Sequence, residues 1–372
     1  MSLTRSEEWY LNMGPHHPST HGVLRFVVKS DGEVIDEVKP DIGFLHRGIE
    51  KIAERLEYNQ IIPYYDRVDY LAAFNASWSY VMAVEKLLGI EVPPRAEYIR
   101  VILGELNRII SHLISVGSFA LDMGAVTPFT WAIREREVVN DIFEMVTGSR
   151  LTYNFPRIGG VYQDVPEGFR EKVLQFCEYF PPKLKEFNDL ITYQKIFIHR
   201  LANVAVITPE QAIAFGLTGP NLRGSGIKYD LRKNRPYSVY SEFEFDIPVG
   251  TGEAGTLGDA YDRYMVRIRE MEESCKIIKQ AIEKMPDGPV RAKVPRKLKP
   301  PVGDVYAATE APRGELGVHL ISDGSSRPYR MKIRTGSFAA MSIVNEVSHG
   351  LMIADLVALI GSLDVIAPEI DR

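Results

Sequence analysis

PRAEYIRVILGELNRIISHLISVGSFAL, residues 94 to 121, decides the architecture. Pro94 suits the first turn of a helix, where its missing N–H leaves nothing unpaired, and no further proline interrupts the run. Apolar residues fall on most sides rather than one, so the pattern predicts a long helix buried in the middle of the fold. One narrow stripe is polar. At about 100° per residue, Glu105, Arg108, His112 and Ser115 share about a quarter of the circumference, and Asp122 continues that face if the helix persists. Such a stripe is either an ion-paired seam between packed helices or a set of titratable groups lining a site, and the pattern leaves both open.

Before this run, Leu71, Phe74, Trp78, Val81 and Leu88 recur at steps of three and four from Asp69 onward, with Gly89 as the stop; this predicts an amphipathic helix over 69–88. After it, Thr127-Pro128 reads as an N-cap and a first-position proline, opening a helix to about Val146. Further helices are expected over 168–192 and 259–285. VLRFVVKSDGEVIDEV (23–38) alternates on either side of Asp31-Gly32, a favoured two-residue turn, and predicts a β-hairpin with an exposed tip. GDVYAATEAP and GELGVHLISD (303–323) predict paired strands extended by RPYRMKIR (327–334), and a last helix is expected over 337–362. FGLTGPNLRGSGIKYDLRKNRPY (215–237) has glycines at no phosphate-loop spacing and reads as a conformationally demanding loop rather than a nucleotide site. The expected fold class is mainly α with small antiparallel β elements, an α+β arrangement. Its parts are 1–66 with the hairpin and a histidine-rich loop, 67–300 as the helical core, and 301–372 with the C-terminal β element and final helix, packed as one unit.

The 372 residues, 45% hydrophobic and 25% charged, suffice for a large core of ordinary globular composition. A net charge of −5 offers no attractive field for nucleic acid, and the basic run RAKVPRKLKPP (291–301) is short, proline-broken and read as a solvated linker. No charged-then-apolar leader opens the chain, and its most apolar stretch, GLMIADLVALIG (350–361), is short and interrupted by Asp355, so neither membrane crossing nor export is expected. Cys177 and Cys275 are the only cysteines. They are too few for the usual four thiolates of an iron-sulfur cluster and far apart in helix-like segments, so any such cluster is expected in a partner and no disulfide framework here.

HHPSTHG (16–22) places three of the eight histidines in one proline-stiffened loop. Metal ligation, proton transfer, a phosphate contact or a plain rigid turn would each use such a segment. His16 and His17 are adjacent and separated from His21 by Pro18, which fits no familiar zinc-ligand spacing. RVDYLAAF (67–74) and SFALDMGAVTP (118–128) also join titratable groups to rigid backbone, with Tyr70 readable as a core-edge aromatic and Asp122 as a cap or ion-pair member. Without a Gly-x-Ser-x-Gly elbow or a Gly-x-Gly-x-x-Gly opening a strand-helix unit, neither serine hydrolysis nor NAD binding by this chain is expected.

In chain order, GPHHPSTHGVLR, DIGFLHRGIEK, RVDYLAAF, AVEKLLGIEVPPRAEYIRVILGELNRIISHL, ALDMGA, RIGGVY, GLTGPNLRGSG, EAPRGELG and SDGSSRPYRMKIR resemble the 49 kDa (D) subunit family of respiratory complex I, the proton-pumping NADH:quinone oxidoreductase. That family is similar in turn to the large subunit of nickel-iron hydrogenases, so a hydrogenase large-subunit-like fold is expected. Hydrogenase large subunits hold nickel and iron with two cysteine pairs; the aligned positions here are Asp69 and Ala72 in RVDYLA, and Ile366 and Glu369 in DVIAPE. Alanine and isoleucine cannot ligate a metal, which argues against hydrogen activation and for a cavity reused for another substrate.

The resemblance implies that this substrate is the headgroup of a quinone. Residue by residue, the family's loop histidine matches His21, its headgroup tyrosine matches Tyr70, and the aspartate partnered with that histidine matches Asp122. It also implies that the chain binds no cofactor alone and receives electrons from an iron-sulfur cluster in a neighbouring small subunit. The further implied partners are a C-type 30 kDa subunit, a ferredoxin-like I subunit and a membrane H subunit. A peripheral place on the cytoplasmic side of the inner membrane, and coupling to proton translocation, follow from the same resemblance. The donor, whether NADH, reduced ferredoxin or a deazaflavin, is set by other subunits. Two other readings stand beside it: a hydrogenase-like large subunit, and a non-catalytic scaffold in which Arg223, Arg313, Arg327, Arg330 and Arg334 are interface or ion-pair residues.

Overall fold

A computed structural model describes residues 8–16 and 23–372. Its centre is one unbroken helix, Pro94–Asp122, with Pro94 in the first turn and every residue from Tyr98 to Leu113 buried. Burial of consecutive residues means the helix is enclosed on all sides, as its apolar circumference predicted. The helices Ala73–Leu88, Val126–Thr147, Ala260–Lys284 and Ile353–Leu363 pack around it. Gly104 lets Trp78 in: a Cβ there would stand 2.9 Å from the indole ring. The architecture is mainly helical with small antiparallel sheets, the α+β class expected.

Several boundaries move for identifiable reasons. The first of these helices starts at Ala73, not at Asp69, because Asp69 Oδ1 accepts from the backbone N–H groups of Leu71 (3.2 Å) and Ala72 (3.1 Å) and holds the chain in a bend. Nor is it amphipathic, since Ala73 through Val81 are all buried; it does stop at Gly89. The helix expected to be capped by Thr127 begins two residues earlier, with Ala125 as its cap and Val126 as its first residue, and Pro128 falls in the first turn where its missing N–H is tolerated. Phe169–Phe187 continues as a wider π-helical turn, Asn188–Thr192. Instead of one final helix there are three pieces, Gly336–Ser342, Val344–Ser348 and Ile353–Leu363.

The N-terminal hairpin pairs Arg25–Asp31 with Val34–Asp41, so its two-residue loop is Gly32-Glu33, one residue later than the pattern suggested. Glu8–Met13 adds a third strand that the pattern did not show. Met13, Phe26, Val28, Ile35 and Val38 of this sheet share a core with Val344, Leu356, Leu359 and Ile360 near the C-terminus. The second sheet, Gly303–Ala311, Gly314–Ser322 and Arg330–Arg334, lays Val305, Leu316, Val318, Leu320 and Met331 against Ala76, Tyr80, Val81 and Val84 of the Ala73–Leu88 helix.

The hairpin tip at Arg313-Gly314 meets the glycine-rich 215–237 loop at very close range. Gly219 has φ 64° and a Cβ there would stand 2.3 Å from Gly314 Cα, so both backbones need glycine to meet. This contact sets Arg313 inside the protein. Arg291, Lys293, Arg296, Lys297 and Lys299 are exposed along a non-helical segment, but it is not the solvated linker expected: Arg291 forms a β-bridge with Gly160, the N–H of Ala292 donates to the Gly159 carbonyl, and Leu298 is buried in the core. Cys177 and Cys275 are free, buried thiols, carried by the Phe169–Phe187 and Ala260–Lys284 helices. Among the described residues no helix is long and apolar enough to cross a membrane.

Candidate functional site

The polar stripe of the central helix is an internal seam. Glu105, Arg108 and His112 are fully buried and tie that helix to the Ala260–Lys284 helix and the glycine-rich loop. Glu105 accepts from Arg108 (3.1 Å), Arg232 (3.0 Å), Tyr240 (2.6 Å) and Ser274 (2.7 Å). Burial alone would push its carboxyl up; Arg108 and Arg232, with the two hydroxyls, outweigh that and hold it at about 2. His112 Nε2 lies 2.7 Å from Glu270 Oε2, and burial favours the neutral ring despite that carboxylate. Arg223 contacts Glu270 directly and donates to Glu310 at 2.8 Å, while Arg232 donates to Asp230 at 2.6 Å. These groups bond to one another, which selects the seam over the site-lining reading.

A second cluster forms where the bend 69–72, the hairpin tip and the C-terminal segment converge. Arg313 donates to Asp69 Oδ2 at 2.8 Å, to Ser111 Oγ of the central helix at 3.1 Å, and to Asp364 Oδ1 at 3.3 Å. Arg267 Nε stands 3.6 Å from Asp364 Oδ2. Glu369, also buried, takes a hydrogen bond from Ser337 Oγ, and Ser337 Oγ accepts in turn from the N–H of Ile366 at 3.2 Å. Asn107 pins the bend to the central helix, accepting from the N–H of Phe74 (3.1 Å) and donating to the carbonyl of Leu71 (3.0 Å). Tyr70 sits on this bend, half-buried, with its phenol within the field of Arg313, Asp69 and Asp364. Burial, the largest influence, raises its pKa, Asp69 and Asp364 add to that, and Arg313 opposes it.

The positions aligned with the four hydrogenase thiolates therefore carry a donor set unsuited to nickel and iron. Ala72 and Ile366 supply no ligand atom, one Asp69 oxygen is taken by Arg313 and the other by two backbone N–H groups, and Glu369 is bonded to a serine. A guanidinium among them repels any cation.

Of the residues singled out in the sequence, Tyr70 falls in this cluster. Asp122 ends the central helix, half-buried; from Ser111, which holds Arg313, the helix rises about 16 Å to reach it. His21 and His17 lie outside the described residues, and His16 is exposed. Arg313, Asp364 and Ser337 are the members that pattern reasoning missed as site residues. Their one signal was negative, the loss of thiolates at Asp69 and Glu369. Arg223 and Arg313 are buried ion-pair residues, and Arg330 and Arg334 pair at the surface with Glu54 (2.9 Å) and Glu315 (3.6 Å).

Residues 122–301 and 292–372 match the family model described as the respiratory-chain NADH dehydrogenase, 49 Kd subunit. The chain is 55% identical over 368 residues to a D-type subunit of the NADH-quinone oxidoreductase of Anaeromyxobacter sp. (strain K), covering 99% of this chain and 97% of that protein. It is 56% identical over 369 residues to a D-type subunit of the same oxidoreductase in Sorangium cellulosum (strain So ce56), covering 98% and 95%. It is 51% identical over 367 residues to the corresponding protein of Desulforamulus reducens, covering 99% of both.

Proposed function

Because the chain belongs to the family of the 49 kDa subunit of respiratory-chain NADH dehydrogenase, and so acts as part of that multi-subunit oxidoreductase, we propose that it forms much of the site where the quinone headgroup is reduced. Quinone takes up two electrons and two protons to become quinol. The electrons arrive from an iron-sulfur cluster held by a neighbouring small subunit, and the protons come from this chain. Tyr70 gives its phenolic proton to one carbonyl oxygen and His21, as imidazolium, gives a proton to the other. Asp122 partners His21, since a carboxylate beside an imidazole favours the charged ring. Loss of the His21 proton changes the charge on the histidine-rich loop, and that change biases the loop and the adjoining membrane H subunit, coupling reduction to proton translocation. The ferredoxin-like I subunit and the C-type 30 kDa subunit complete the surroundings, with the chain peripheral on the cytoplasmic face of the inner membrane.

The observation that supports this reading best is the bend 69–72: Tyr70 lies between the vacated ligand positions, within the field of a guanidinium that disfavours a metal and lowers the cost of negative charge on the phenol oxygen. Its test is the assembled complex carrying Asp122→Asn. With the carboxylate gone, quinone reduction should decline at a lower pH than in the wild type, because His21 loses its proton sooner; an unchanged pH profile removes the pair from the scheme. The scaffold reading draws on the paired state of Arg223, Arg313, Arg330 and Arg334. Loss of quinone reduction in a fully assembled Tyr70→Phe complex separates the two.

A further inference from the structure

Glu369 has no task in that scheme, yet it is only 1% exposed and lies at the edge of the Asp69–Arg313–Asp364 cluster. Among the described residues the cluster contains three carboxylates, Asp69, Asp364 and Glu369, and two guanidinium groups, Arg313 and Arg267. Arg313 spends its Nη atoms on Asp69, Ser111 and Asp364. Arg267 donates to the carbonyls of Arg263 (3.0 Å) and Ser362 (2.8 Å) and to Asn221 (3.1 Å), with Nε turned to Asp364. Two positive groups are thus matched by two carboxylates. Glu369 is the third, and its hydrogen bond comes from a neutral hydroxyl, Ser337 Oγ. An ionised carboxylate in a dry site without a cation in contact is costly, so the proton stays.

Resting on the quinone-site reading, we propose that Glu369 is a neutral carboxylic acid in the resting protein, a positioning residue whose proton keeps the cluster at zero net charge so that Tyr70 can release its own. Among the described residues five elements face this carboxyl: the bend with Asp69, the hairpin tip with Arg313, the end of the Ile353–Leu363 helix with Asp364, the Gly336–Ser342 helix with Ser337, and the Tyr58–Tyr65 helix with the phenol of Tyr65. Burial first and Asp69 second push the Glu369 carboxyl up to about 8, against the pull of Arg313. When Glu369 loses its proton the cluster gains an uncompensated negative charge, Arg313 is drawn towards it, and the phenol of Tyr70 becomes a weaker donor. No covalent bond changes between heavy atoms: one proton leaves the Glu369 oxygen for solvent, and the phenolic proton is then held more tightly.

Two measurements on the purified complex test this. In infrared difference spectra recorded between about pH 6 and about pH 10, a protonated-carboxyl band should disappear with rising pH around 8 and be missing in Glu369→Gln. The rate of quinone reduction, normalised to each variant's own maximum, should fall about tenfold per pH unit above that point in the wild type and in Glu369→Asp, with the Glu369→Gln decline displaced upward. That displacement is opposite to the one expected of Asp122→Asn. Absence of the band, or a Glu369→Gln profile superimposing on the wild type, overturns the inference and leaves Tyr70 as donor untouched. Undiminished activity in Tyr70→Phe would instead remove the donor reading, and with it the role of the proton, while the band still decides whether Glu369 holds one.

Discussion

Two buried ionic clusters lie next to each other in this fold and touch at Ser111 and His112, consecutive residues of the central helix. In the seam, Glu105, Asp230, Glu270 and Glu310 each contact a guanidinium directly. At the bend, Asp69 and Asp364 do so as well, and Glu369 contacts none among the described residues. Glu105 is accordingly held low at about 2, whereas Glu369 is pushed up to about 8. Burial is equal for these two, so the contrast between Glu105 and Glu369 comes from their partners; Glu310, buried and crowded by Asp230, is raised despite its contact with Arg223. Matched charges fasten helices together; a buried carboxyl bonded to a hydroxyl rather than to a guanidinium keeps its proton.

The largest effect expected from breaking this contrast lies in the seam. Arg223→Ala leaves Glu270 and Glu310 buried without their guanidinium and should destabilise the protein by about 3–5 kcal/mol, read from denaturant unfolding or from the yield of assembled complex. A loss below about 1 kcal/mol would mean that the seam is not as dry as its burial indicates. Next comes the packing that holds both clusters in register: Gly104→Ala drives a methyl into the Trp78 ring and should cost about 1–3 kcal/mol. Glu369→Gln should have a smaller effect whose sign depends on pH. Its folded-state pKa is raised, so the acid form adds stability that is complete below about pH 4.5 and is lost as pH rises through about 8. The wild type should therefore lose stability relative to Glu369→Gln across that window, and parallel unfolding curves at both ends would show that Glu369 is ionised throughout. Arg330→Ala, which breaks an exposed pair with Glu54, should leave the unfolding midpoint where it was.

The central helix was legible from its sequence because an apolar circumference has one physical solution, enclosure. Its polar stripe was legible as a set but not as a kind: Glu105, Arg108 and His112 share a face, while their partners Arg232, Glu310 and Glu270 come from segments more than a hundred residues away. The third N-terminal strand was hidden because Trp9, Tyr10 and Leu11 stay exposed, leaving no inside-outside alternation to read. The expected 337–362 helix broke because apolar content marks burial without marking continuity. At the site, resemblance pointed to Tyr70 and to four altered ligand positions, but the reason those positions cohere, Arg313 reaching in from a hairpin tip, needed the fold.

Tyr70→Phe tests the quinone-site reading most directly, because it removes one hydroxyl and keeps the ring. In complexes assembled to wild-type levels, electrons supplied by NADH should still reach the iron-sulfur clusters while kcat for quinone reduction falls by about a hundredfold or more. A variant that assembles and reduces quinone at the wild-type rate would contradict it.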